Sequence, residues 1–192
     1  YVDELGAMRV AERVAVAELP GEDARLFCGT TTPRLSSIAV RGDLLLLGTS
    51  NHALLLLELG PPMRCVQVLQ LSHAGEAWAL DFHPDLAILA TGSTAKDVRF
   101  WNVLDYRPRI GVVFQAEAQV WSLAFSPDGH LLALGCDGGI LHVLGFPSLQ
   151  TAFYSTVSKT CERISDVCFA RCSYITGRPA DQGYLLGATC WD

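Results

Sequence analysis

No apolar run in this 192-residue sequence approaches the roughly 18 residues that a membrane-crossing helix needs. The runs Leu44 to Leu47 and Leu54 to Leu57 are short, and Gly-Thr-Ser-Asn-His separates them. No basic segment followed by an apolar stretch stands near the start, so no secretory signal is expected. Paired C-x-x-C spacing is also missing. The seven cysteines, at 28, 65, 136, 161, 168, 172 and 190, are odd in number, which supports neither a zinc site nor a fully paired disulfide framework. Positive charge is scarce, with 14 Lys and Arg against 20 Asp and Glu and a net charge of −6. That balance argues against bulk attraction to nucleic acid or to an anionic membrane.

Signatures of catalysis are missing too. The sequence holds no G-x-x-x-x-G-K-[ST], G-x-G-x-x-G, H-E-x-x-H or G-x-S-x-G. Its five histidines are scattered: His73 reads as structural, His83 and His130 as exposed turn residues, and His142 as a strand residue. Asp81, Asp85, Asp97 and Asp105 lie in one repeat unit but on different strands and turns, so no convergent acid–base pair is expected. The reading is of a non-enzyme with no cofactor, no metal and no small-molecule substrate.

What is present is repetition. The runs Ser37 to Val40, Ala79 to Phe82, Ser122 to Phe125 and Asp166 to Phe169 overlay with their last residues 42, 43 and 44 apart. A second marker, the glycine closing the next apolar run, recurs at Gly48, Gly92 and Gly135, at steps of 44 and 43. Such a period fits a four-stranded unit of about 40–45 residues and excludes helical repeats of about 33–34. Half the residues are hydrophobic, and 17 glycines with nine prolines favour many short strands joined by turns.

Within each unit the strand pattern has period two. Trp78, Leu80 and Phe82, and then Trp121, Leu123 and Phe125, are each expected to share one buried aromatic-rich face. Ser126-Pro127-Asp128-Gly129 is a strong turn signal, and His83-Pro84-Asp85 and Arg41-Gly42-Asp43 occupy the same place, which makes the last a hairpin turn rather than an adhesion motif. Second strands are expected at Leu44 to Leu47, Leu86 to Ala90 and Leu131 to Leu134. Third strands follow at Ala53 to Leu59, Val98 to Val103 and Ile140 to Leu144, with fourth strands near Cys65 to Leu69, Gly111 to Phe114 and Thr151 to Tyr154. Most cysteines fall inside apolar runs, as small buried hydrophobes in a reducing compartment.

The unit from His73 to Asn102 is the best formed, and it resembles one blade of a WD40 β-propeller. The resemblance implies an all-β fold of about four repeats of 42–44 residues, a partial propeller. Its expected division is residues 1–35 as the end of a preceding blade, then blades at 36–71, 72–115 and 116–158, and the start of a further blade at 159–192 with an inserted loop at 170–183. Met8 to Ala17 alternates and is a candidate strand of the preceding blade, and the chain is expected to be part of a longer protein. In this family a His, a Ser or Thr, an Asp and a Trp form a buried network. The resemblance assigns His73, Ser93 or Thr91, and Trp101 to it, while Ala95 fills the Asp position and Asp97 comes two residues later. The expectation is therefore an incomplete network.

Gly48-Thr49-Ser50-Asn51, then His73-Ala74-Gly75-Glu76-Ala77-Trp78-Ala79-Leu80 with His83-Pro84, is similar to the echinoderm microtubule-associated-protein-like family. Phe100-Trp101-Asn102, Tyr106-Arg107-Pro108 and Phe125-Ser126-Pro127-Asp128-Gly129 continue the similarity, which covers residues 36 to 146. It implies a scaffold associated with tubulin, microtubules or axonemal proteins, in the cytoplasm, cytoskeleton or cilium. Lys96, Arg107 and Arg109, in the densest basic group, are the candidate contacts. The alternative is an adaptor that binds other proteins through its loops.

Overall fold

A computed structural model of the chain describes residues 34–50, 53–60, 64–69, 73–103, 109–171 and 183–191. Among these residues the regular structure is entirely β, in fourteen strands that form four antiparallel sheets. The first sheet runs in order β1 (Leu35–Arg41), β2 (Leu44–Thr49), β3 (Leu54–Glu58) and β4 (Arg64–Leu69). The second is β5 (Ala77–Phe82), β6 (Ile88–Ser93), β7 (Asp97–Asn102) and β8 (Arg109–Gln115). The third is β9 (Val120–Phe125), β10 (Leu131–Cys136), β11 (Ile140–Gly145) and β12 (Gln150–Thr156). The fourth pairs β13 (Arg163–Arg171) with β14 (Tyr184–Trp191). This is the β-propeller arrangement: each sheet is a meander of consecutive strands, and the sheets stack face to face in chain order. The expected strand at Met8 to Ala17 and the inserted residues 172–182 lie outside the described residues.

Alternation along each strand builds the stack. In the second sheet Leu80, Phe82, Leu89 and Trp101 point toward the first sheet and pack on Leu46, Leu54 and Leu56. Residues of opposite parity, Ala79, Ala90, Val98 and Phe100, point toward the third sheet and meet Val120, Leu123, Phe125, Leu132, Leu134 and Leu144. Behind these, Ala133, Leu141 and Val143 pack on Ile164 and Val167 of the fourth sheet. Each middle sheet is thus apolar on both faces, which explains why so much of the sequence is hydrophobic without a long apolar run.

The recurring glycines work at these junctions. A Cβ at Gly92 would lie 2.6 Å from Cγ1 of Val120, and one at Gly135 would lie 2.6 Å from Cγ2 of Ile164. Gly48 stands equally close to the carbonyl of Ala77, at 2.7 Å. Each glycine sits where the first strand of the next sheet crosses. The repeat marker is therefore a close-approach residue between sheets.

The turns follow their local chemistry. Gly42, between β1 and β2, has φ of 55°, and Arg41 beside it donates to the carbonyl of Leu86 in the second sheet. Gly129, Gly138 and Gly139 close the third-sheet hairpins at φ of 73°, 68° and 66°.

The expected aromatic face needs correction. Leu80, Phe82, Leu123 and Phe125 are buried as expected, but Trp78 is 37% exposed and Trp121 is only partly buried. The cause is a bulge: the register of β5 on β6 shifts between Ala77 and Ala79, and that of β9 on β10 shifts at Trp121. A bulged residue is an extra one, and its side chain leaves the alternation.

Candidate functional site

His73 stands just before β5 and is 1% exposed. Its Nδ1 lies 2.9 Å from Oδ1 of Asp97, and its Nε2 lies 2.6 Å from Oγ1 of Thr91. Trp101 closes the chain by donating from Nε1 to the same Thr91 oxygen at 2.9 Å. Because an ionised carboxylate only accepts, Nδ1 of His73 carries the proton toward Asp97, and Nε2 receives the Thr91 hydroxyl.

The expectation of an incomplete network is thereby overturned. Asp97 takes the carboxylate role that the family resemblance places at Ala95. Lys96 adopts φ of 66° at the end of the β6–β7 turn, and Asp97 opens β7. From there, four residues before Trp101, strand alternation puts it on the same face. The choice between Ser93 and Thr91 resolves into two roles: Thr91 bridges His73 and Trp101, while Ser93 donates to Oδ1 of Asp97 and accepts from the backbone N–H of Ala95 at 3.0 Å. Burial works to raise the Asp97 carboxyl. Hydrogen bonds from His73 and Ser93, attraction to His73 and a bond from Arg99 outweigh it and hold the group well below the ordinary carboxylate range.

In the third sheet Ala116, Leu134, Ile140 and Leu144 stand at the positions corresponding to His73, Thr91, Asp97 and Trp101, and all four belong to its apolar core or pack against it. The network is a device of the second sheet alone among these two. Its role is to fix β6, β7 and the approach to β5, since each of its polar atoms is satisfied inside the protein.

Of the basic group, the described side chains are those of Arg99 and Lys96. Arg99 donates from Nε to Oδ2 of Asp97 at 2.6 Å and so belongs to the network. Lys96 is exposed at the tip of the β6–β7 turn, where its carbonyl accepts from Ala116 at 2.7 Å. Arg109 opens β8 opposite Asn102, and Arg107 lies outside the described residues.

His83 is buried, not an exposed turn residue. Its Nδ1 accepts from the N–H groups of Asp85 and Leu86 at 3.1 and 3.0 Å, and its Nε2 meets the carbonyl of Gly129 at 3.2 Å. Phe125 and Phe146 lie against its ring, with centroids 5.0 and 5.3 Å away. Burial is the main cause of its lowered pKa. His130 is exposed as expected, and His142 is a buried residue of β11 bonded to Thr151 at 2.9 Å. Cys168 is exposed, against expectation, while Cys136 and Cys161 are buried.

The feature that the sequence reading missed is a rim. Register shifts recur at the start of the innermost strand of every sheet, at Ser36, Trp78, Trp121 and Ser165. These residues are spaced 42, 43 and 44 apart, in step with the repeat. Trp78 and Trp121 meet there with ring centroids 5.5 Å apart and planes at 49°. The guanidinium of Arg163 lies over Trp121 at 4.4 Å and over Trp191 at 4.3 Å, while Trp121 Nε1 donates to Asp137. Trp78 borders two cavities. One of about 340 Å³ also touches Arg34, Ser36, Ser50 and Glu76; the other, of about 180 Å³, touches Trp121, Ser122, Ser165 and Asp166. An aromatic ladder on rigid strands beside open cavities is suited to gripping a side chain from another molecule. The matching steps of bulge and repeat were the available signal, but a bulge cannot be seen in period-two hydropathy.

No group of three or more His, Cys, Asp or Glu residues among the described residues could hold a metal ion. Asp81, a half-buried carboxylate of β5, is engaged by the N–H of Phe125 at 2.8 Å and links two sheets.

The chain matches the model of the WD domain, G-beta repeat, over residues 63–102 and 110–143. It is 38% identical over 60 residues to eukaryotic translation initiation factor 3 subunit I of Aspergillus terreus (strain NIH 2624 / FGSC A1156), a match covering 31% of this chain and 17% of that protein. Among solved structures, a chain in the crystal structure of a mitotic checkpoint complex superposes with a TM-score of 0.59 and 18% identity, covering 70% of this chain and 42% of that one. The last likeness concerns the fold alone.

Proposed function

We propose that this chain, which carries WD40 repeats in a β-propeller-like fold, is a non-catalytic scaffold that docks partner proteins on the rim around Trp78 and Trp121. The observation that carries this reading is the pairing of an exposed Trp78 with a half-buried Trp121 at bulges of otherwise buried strands. Large aromatic side chains on a preorganised surface supply binding energy at small entropic cost, which is the common composition of interface hot spots. Three of the buried or half-buried titratable groups are engaged within the fold: Asp97 with His73, Asp81 with Phe125, and His83 with Gly129.

The proposed setting is the microtubule or axonemal cytoskeleton, with localisation in the cytoplasm, cytoskeleton or cilium. It is supported by the similarity of the His73-to-Pro84 segment to microtubule-associated proteins. Lys96, Arg107 and Arg109 are the proposed lattice contacts, since the net charge of −6 leaves attraction to an acidic filament to local basic groups. Co-sedimentation with microtubules at low salt tests this. Pelleting that is lost on joint replacement of the three basic residues by glutamine supports it, and a chain that stays in the supernatant refutes it.

A second reading is an adaptor in another cytoplasmic complex, in line with the 60-residue similarity to a translation initiation factor subunit. Affinity capture dominated by non-cytoskeletal partners would select it.

A further inference from the structure

The rim already holds one cation in a defined way. Arg163, at the start of β13, lies between the rings of Trp121 and Trp191, each within 4.4 Å of its guanidinium carbon. One repeat earlier the ladder is unfinished. Trp78 lies against Trp121 on one side, but it is 37% exposed and borders the larger cavity, of about 340 Å³. That volume is ample for one long side chain.

Charges of both signs surround it. Carboxylates bordering the rim are Glu76 in the larger cavity, Asp166 in the smaller, and Asp137 against Trp121. Among the described residues neither Glu76 nor Asp166 has a cationic partner. Two cations oppose them, Arg34 and Arg163, and the second is already covered by two indoles. In the larger cavity Glu76 stands with Arg34, so what favours a cationic side chain there is the indole face of Trp78 beside a carboxylate that no cation pairs, the arrangement that Arg163 already makes with Trp121.

We infer that the free face of Trp78 and the cavity it shares with Glu76 take an arginine side chain from an extended basic segment of a partner protein. This rests on the docking reading above and names the chemistry of what docks. Arginine suits the spot better than lysine because its planar guanidinium stacks on an indole while its N–H groups reach Glu76 and the hydroxyls of Ser36 and Ser50, which border the same cavity. The rim and the basic group at Lys96 and Arg109 would then serve different partners, one basic and one acidic.

The test is selection of a random dodecapeptide library on the full chain, repeated on Trp78→Ala, Trp78→Phe and Glu76→Gln. The expected result is an arginine-containing consensus. Its affinity falls by about fivefold or more on Trp78→Ala, in keeping with the loss of one cation–π contact, and falls less on Trp78→Phe. Glu76→Gln weakens the arginine peptides without affecting a citrulline analogue. Wild-type melting behaviour in each variant establishes that the fold is retained. An acidic consensus that still depends on Trp78 would overturn the arginine inference and leave rim docking standing. A consensus indifferent to Trp78, or none at all, would overturn both.

Discussion

His83 and Gly129, in consecutive repeats, are fitted to one another. The imidazole Nε2 of His83 lies 3.2 Å from the carbonyl of Gly129, and a Cβ on Gly129 would stand 2.3 Å from the ring. With Nδ1 accepting two backbone N–H groups, the ring is used as a neutral donor–acceptor that ties a turn of the second sheet to a turn of the third.

Protonation of His83 would remove that acceptor. Its pKa is lowered in the folded chain, first by burial, so the unfolded chain binds the proton more readily. Stability is then complete above the ordinary histidine value of 6.5 and falls as the pH drops through the lowered folded value. Urea midpoints from pH 8 to pH 5 should decline on acidification, less steeply in His83→Gln. The slope remaining in the variant belongs in part to His142, which burial also lowers.

Asp97 should contribute no slope over that range. Its carboxyl is held low, so its contribution is present above the unfolded value of 3.8 and is lost only in stronger acid. Asp97→Ala leaves His73, Ser93 and Arg99 without their acceptor and should cost on the order of 3 kcal/mol in chemical denaturation at neutral pH. The loss should be the same at pH 8 and pH 6.

Much of this was legible in the sequence. The repeat emerged because its markers are steric: Gly48, Gly92 and Gly135 must be small for the next sheet to approach. What escaped were three local departures from regular counting. Asp97, two residues beyond Ala95, is the carboxylate that reaches His73; Trp78 and Trp121 leave the alternation at bulges; and His83 is covered by Phe125 and Phe146 from a sheet about 43 residues further on. Period-two hydropathy carries no record of any of them.

The glycine account predicts a sharp cost for a single methyl group. Gly135→Ala would place its Cβ 2.3 Å from Oγ of Ser122 and 2.6 Å from Ile164. Thermal and urea unfolding should show a loss of about 1–3 kcal/mol. A change within error would mean that the third and fourth sheets do not meet as described.

Cysteine reactivity should rank by environment. Cys168 is exposed, whereas the Cys136 thiol is pushed up to about 12, first by burial and then by Asp137 and Glu117. Mass-spectrometric mapping after brief alkylation of the native chain should find Cys168 modified and Cys136 intact.

The docking rim is open to direct observation through the indole N–H signals of the four tryptophans in a ¹⁵N-labelled chain. Titration with a capped arginine-containing peptide should move the Trp78 signal first and Trp121 with it, while Trp101, whose Nε1 is held by Thr91, stays in place. A glutamate counterpart should move neither. If Trp78 remains still while other resonances shift, or if the acidic peptide perturbs it as strongly, the bulge rim is not the arginine-binding surface described here.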